Sequence, residues 1–255
     1  MRTLIGVRFL KGHGTENDFV VLPDLEDALD LTDDLVRRLC DRRAGLGADG
    51  VLRVVRNPDG LWFMDYRNAD GSIAEMCGNG VRVYARYLVR AGLESEGHLQ
   101  LATRGGVKEV DVKDDTVLVD MGPATVGEQV EVDGMPALFV DMGNPHAVLH
   151  VASVDALGTL DPDRKDLNVE YVEDVAPGHI RMRVHERGVG ETRSCGTGAC
   201  AAVVATVLRL GVPRGSAYLV DVPGGRLVVT WHEDGHVTLE GPAVIVAEGE
   251  TSLDA

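Results

Sequence analysis

Apolar and polar residues alternate along a series of short stretches. They include RTLIGVRFL (2–10), VLRVV (51–55), LWFMDY (61–66), TVLVDM (116–121), ALFVDM (137–142), HAVLHV (146–151), HIRMRVHE (179–186), AYLVDV (217–222) and RLVVTW (226–231). A period of two in runs rich in Val and Leu, punctuated by Gly, Pro and Asp, predicts strands. Three other stretches carry helical spacing. One runs from about Asp33 to Arg42, with Leu35, Val36, Leu39 and Cys40 on one face behind an N-cap at Thr32. The others run from about Gly78 to Ala91 and from about Gly196 to Leu210. The last contains ACAAVVATVL, apolar on every side, which predicts a helix buried at the centre of its half and wrapped by sheet.

The pattern repeats. Cys77-Gly78-Asn79-Gly80 aligns with Cys195-Gly196-Thr197-Gly198 at an offset of 118, which Met64 and Met182 share. Past that motif the offset becomes 119, as one inserted residue would make it. Gly92 then meets Gly211, Gly105-Gly106 meets Gly224-Gly225, and Gly122-Pro123-Ala124 meets Gly241-Pro242-Ala243. The chain therefore reads as two homologous α+β halves, with a period too long for a solenoid. The first half is 1–117 plus 242–255 and carries Cys77; the second is 118–241 and carries Cys195.

Composition narrows the partners. The 255 residues are 44% hydrophobic but only 4% aromatic, so the cores must be built from Val, Leu and Ala. A formal net charge of −16 argues against nucleic acid and against an anionic membrane surface. No apolar run approaches the length of a membrane span, and the N-terminus lacks the pattern of a signal peptide. The expected location is the cytoplasm, where Cys40, Cys77, Cys195 and Cys200 stay reduced. None of their spacings resembles a zinc site.

The two aligned cysteines each stand at a helix mouth. The first turn of a helix has unpaired N–H groups and a partial positive charge, which should stabilise a thiolate and lower its pKa. The neighbouring glycines let a ligand approach the backbone, and the same N–H groups can hold a carboxylate. A single such element could equally be an inert cysteine capping a core helix. A pair related by an approximate two-fold suits the inversion of a stereocentre: one thiol removes a proton from carbon and the other returns one to the opposite face. A redox sensor built to form a Cys77–Cys195 disulfide is the rival of another class.

Eight stretches then carry a resemblance. KGHGTENDFVVL (11–22), GLGADGVL (45–52), YRNADGSIAEMCGNGVR (66–82), GNPHAV (143–148), NVEYV (168–172), HERGVGETRSCGTGACAA (185–202) and the trailing PGGRL and LEGPA are similar to diaminopimelate epimerase, in the family's order and over nearly the whole chain. The resemblance implies conversion of LL-2,6-diaminopimelate to the meso form, for lysine and peptidoglycan synthesis, with no pyridoxal phosphate, other cofactor or metal. It implies two pseudo-symmetric halves, each a mostly antiparallel sheet curled around a central helix, with the active site in the cleft between them. It is compatible with a homodimer.

Carried over residue by residue, Cys77 is the proton acceptor for the LL substrate and Cys195 the donor. Gly78, Asn79, Gly196 and Thr197 match helix-mouth contacts to the reacting carboxylate. Asn17, Asn68, Asn144 and Asn168 match polar substrate contacts, and Glu186 and Arg187 an adjacent substrate-binding pair. His146 and Glu186 match residues that tune the thiols. Taken alone, the asparagines could simply make turns, His146 could be a core histidine and Glu186-Arg187 a surface pair. Cys200 reads as core, and His232 and His236 as part of a polar turn. Two positions depart from the family: Gly50 stands where some members have a substrate-touching glutamine, and Glu16 replaces a common loop glycine. Proline and hydroxyproline racemases share the paired thiols, but usually have histidine where Asn79 stands.

Overall fold

The computed structural model describes residues 6–251, so the Arg2–Ile5 part of the first expected strand lies outside the described residues. In chain order the elements begin β1 (Val7–Gly14), β2 (Asn17–Pro23), α1 (Asp33–Cys40), β3 (Gly50–Arg56), β4 (Trp62–Asn68), α2 (Gly78–Arg90), β5 (Gly97–Thr103) and β6 (Gly106–Val112). They continue with β7 (Thr116–Pro123), β8 (Thr125–Val132), β9 (Met135–Asp141), β10 (Pro145–His150), β11 (Asn168–Ala176), β12 (His179–Glu186) and β13 (Gly190–Thr192). The last are α3 (Gly196–Leu210), β14 (Ala217–Val222), β15 (Gly225–Trp231), β16 (His236–Pro242) and β17 (Val244–Thr251). The chain forms two compact units, one of 1–117 with 242–255 and one of 118–241.

In the first unit β17 pairs antiparallel with β1, β1 antiparallel with β2, β2 parallel with β3, β3 antiparallel with β4, β4 parallel with β5, and β5 antiparallel with β6. The second unit repeats the series. There β8 pairs antiparallel with β9, β9 antiparallel with β10, β10 parallel with β11, β11 antiparallel with β12, β12 parallel with β14, and β14 antiparallel with β15. β2, β10 and β11 carry parallel pairings and are buried over continuous runs without alternation, as strands covered on both faces are. β7 and β12 show the alternation expected of strands with one covered face.

A central helix packs against the strands of each unit, and α1 packs in addition on β3. α2 lies against β1, β2, β3, β4, β6 and β17, and α3 against β9, β10, β11, β12 and β15. From Gly196 to Val207, every α3 residue except Thr197 is buried. The core is built mainly of Val, Leu and Ala. The repeat's glycines also have matching tasks: Gly92 (φ 68°) and Gly211 (φ 63°) both take the left-handed conformation that ends a helix. α1 begins at its expected cap, where Thr32 Oγ1 accepts from Leu35 N–H at 3.2 Å, and it buries Leu35, Val36, Leu39 and Cys40. It stops at Cys40, two residues short of the expected end.

Candidate active site

In the first unit, Cys77 precedes α2 in an extended conformation (φ −143°, ψ 118°), and its Sγ accepts the Gly80 N–H at 3.4 Å. Its thiol reaches Asn17 Oδ1 at 3.6 Å, and that oxygen also accepts from Asn79 Nδ2 at 3.1 Å. The Asn17 amide is oriented by its other end, where Nδ2 donates to Asp49 Oδ2 at 2.8 Å. Arg42 grips Asp49 and Asp18 together, at 2.6 and 2.7 Å. Burial would raise the Asp18 carboxyl, but Arg42 and Lys11 outweigh it and hold it at about 2. The line from Arg42 through Asp49 and Asn17 thus ends on the thiol.

The two departures have structural accounts. Glu16 sits at φ 63°, a left-handed conformation that a glycine would adopt without strain. At Gly50, a Cβ would lie 2.5 Å from the Arg67 carbonyl oxygen and 2.7 Å from the Tyr66 ring, so β3 accepts no side chain there as it stands. Asn68 makes a turn with Ser72, donating from Nδ2 to Ser72 Oγ at 3.0 Å.

In the second unit, Cys195 caps α3 with φ −121° and ψ 118°, and its Sγ accepts the Gly198 N–H at 3.4 Å. Thr197 Oγ1 lies 3.5 Å from the same sulfur. His146 is fully buried between two oxygens, with Nδ1 2.6 Å from Glu170 Oε1 and Nε2 3.0 Å from Asn144 Oδ1. Asn168 donates to the Pro145 carbonyl at 2.9 Å and accepts from the Arg187 backbone N–H at 3.0 Å. Glu186 accepts from the Thr192 hydroxyl. The Arg187 side chain is exposed.

The helix mouth does not lower the thiol pKa at Cys195, contrary to what the first-turn N–H groups alone predict. At Cys195 the direction is upward: burial dominates, the Glu186 and Glu170 carboxylates add to it, and the Thr197 and Gly198 hydrogen bonds oppose it without prevailing. Cys40 is likewise pushed up by burial, to about 12.

Comparison with known proteins bears on this pair of thiol caps. The sequence model of diaminopimelate epimerase matches residues 9–127 and 138–246. The chain belongs to the diaminopimelate epimerase family. A diaminopimelate epimerase of Streptomyces coelicolor is 55% identical over 96% of this chain and 95% of its own, and one of Thermobifida fusca 48% over 98% and 99%. Among solved structures, a predicted epimerase of Pseudomonas aeruginosa superposes with a TM-score of 0.77 at 18% identity, covering 98% of this chain and all of that one. A hydroxyproline epimerase of Agrobacterium vitis gives 0.71 at 16%, over 100% and 95%. At those identities the likeness is one of fold.

Within this family framework, two residues not singled out in the sequence stand beside the candidates. Asp49 orients Asn17, and Glu170 pairs with His146. Both lie in stretches that carried the resemblance, GLGADGVL and NVEYV. A carboxylate flanked by Val169 and Tyr171 in an apolar strand was the available signal for Glu170. His232 and His236 bond separately, to Thr238 and Asp120.

Proposed function

We propose that this chain epimerises LL-2,6-diaminopimelate to the meso form with Cys77 and Cys195 as its acid and base. The observation that carries the reading is the duplicated cap: two cysteines of one family motif, each receiving the N–H of the third residue on from the first turn of its helix. Cys77 enters as thiolate and takes the α-proton, leaving the electron pair on the α-carbon and its carboxylate. Cys195 enters as thiol and delivers its proton to the opposite face. The proton count is unchanged, and the two sulfurs have exchanged states. The raised pKa of Cys195 suits the donor's part in this direction.

Helix-mouth N–H groups of α2 and α3 stabilise the charge that gathers on the substrate carboxylate as the proton leaves. Asn17, Asn68, Asn144, Asn168, Glu186 and Arg187 hold the remaining polar groups. His146 and Glu186 bias the thiols. No helix among the described residues is long and apolar enough to cross a membrane. A reducing cytoplasm suits a mechanism that needs both thiols free.

The test is incubation of the purified protein with LL-diaminopimelate in deuterium oxide, following stereochemistry and α-deuterium together. Inversion accompanied by deuterium at the inverted carbon is the expected result. An inert protein under reducing conditions, or inversion without exchange, overturns the reading.

A further inference from the structure

Glu170 lies on β11 with its side chain fully buried, and its two oxygens have different surroundings. Oε1 is 2.6 Å from His146 Nδ1, whereas Oε2 has no hydrogen-bond partner. The same Oε1 presses on the first turn of α3. A Cβ added to Gly198 would lie 2.5 Å from it and 3.3 Å from Cys195 Cβ, so carboxylate and cysteine flank one point. Only a glycine at 198 leaves room for this approach.

The geometry points to Glu170 as a positioning residue that keeps Cys195 in its protonated, proton-donating form, a role that rests on the proposed two-thiol reaction. A carboxylate held against the cap opposes a second negative charge on the sulfur beside it. His146 fixes the carboxylate from behind. On the other strands packed on α3, Glu186 of β12 also acts on Cys195, Arg181 and Arg183 of β12 pair with Asp155 and Glu191, His150 of β10 bonds to Thr206 Oγ1, Asp141 of β9 accepts from Gly143 N–H, and Arg226 of β15 pairs with Asp221. Glu186 and Glu170 therefore bear on Cys195 electrostatically from adjacent strands, and Glu170 is the one with no solvent contact. Its placement makes the two thiols unequal in the resting protein, although their caps match.

The experiment follows iodoacetamide alkylation of Cys77 and Cys195 separately by peptide mass spectrometry across pH, in the full-length protein without substrate. Glu170→Gln keeps the shape and the acceptor for His146 but removes the charge. The expected result is a Cys195 midpoint lower by about one pH unit, with the Cys77 midpoint moved by less than about 0.3. Glu170→Asp, which retains the charge but withdraws it from Gly198, should fall between wild type and Glu170→Gln, and it serves if the Gln variant does not fold. A Cys195 midpoint unmoved in folded variants, with wild-type turnover of LL-diaminopimelate intact, overturns the role of Glu170 alone. A wild-type protein inert on LL-diaminopimelate overturns the functional reading and the role with it.

Discussion

Cys77 and Cys195 cap their helices with one geometry: ψ is 118° at both, and each sulfur accepts the N–H of the residue three places on at 3.4 Å. A two-base inversion needs this equivalence, because the reverse reaction exchanges the roles. Replacing either sulfur by the much less acidic serine hydroxyl should cut the epimerisation rate at least about a hundredfold. Cys40→Ser and Cys200→Ser should leave the rate near normal, since both thiols are buried. A stability cost of about 1–3 kcal/mol from a buried hydroxyl is their expected effect. Initial rates for the four single variants, beside their denaturant midpoints, separate the two classes.

Stability should carry a histidine's signature in mild acid. Burial, with Arg209 adding to it, lowers the His150 pKa to about 4. Its Nε2 lies 3.0 Å from Thr206 Oγ1, whose hydroxyl donates to the Ala202 carbonyl. The hydroxyl oxygen is thus free to accept, and Nε2 carries the hydrogen. The unfolded chain takes up this proton near pH 6.5 and the folded chain only near 4, so the unfolded state binds more protons between them. Unfolding free energy should therefore fall as pH drops from about 6.5 toward 4, with a slope approaching one proton. Urea melts of wild type and His150→Gln across that range check it. An identical slope in the variant assigns the effect elsewhere.

Much of the fold could be read from local pattern. Alternation located β7, β12 and β15, and the all-round apolarity of 199–208 placed α3 inside its sheet. The spacing of Cys-Gly-x-Gly, Gly-Gly and Gly-Pro-Ala revealed the repeat, and the cysteine caps and the positive-φ glycines Gly92/Gly211 and Gly106/Gly225 answer backbone demands made twice. β8 and β17 were missed because their solvent-facing residues leave little alternation to see. The caps of Cys77 and Cys195 were legible as motifs, but the raised pKa of Cys195 was not. It depends on burial and on Glu170 and Glu186, which arrive from separate strands. Asp49 was hidden for the same reason, since its partner Asn17 is brought to it by the pairing of β2 with β3.

The matching glycines at 80 and 198 should respond unequally to alanine. At Gly80 the new methyl would meet the flexible end of Leu52 at 3.2 Å, and alanine's better helix propensity offsets part of that contact. Gly80→Ala should change stability by less than about 1 kcal/mol. At Gly198 the methyl would meet the Glu170 carboxylate at 2.5 Å, and that side chain is fully buried and bonded to His146. Gly198→Ala should destabilise by about 1–3 kcal/mol. Equilibrium unfolding of both variants measures the difference; equal effects would mean that Glu170 moves aside freely.

Recognition of a substrate with two amino-acid ends needs a cation beyond the helix mouths. Arg187 is the candidate. Its backbone N–H is tied to Asn168 Oδ1 at 3.0 Å, which anchors the residue, while its side chain is exposed in the ligand-free protein. A guanidinium matches a carboxylate with two parallel donors, which an ammonium cannot copy. Arg187→Lys should lower kcat/KM for diaminopimelate by about 2–4 kcal/mol, the cost of disrupting a desolvated charge pair in the complex. Alkylation of Cys77 and Cys195 in the free protein should change much less, because the side chain acts on substrate and not on the thiols. Retention of kcat/KM within about twofold would make Arg187 a solvated surface charge, so both measurements belong on the same preparation.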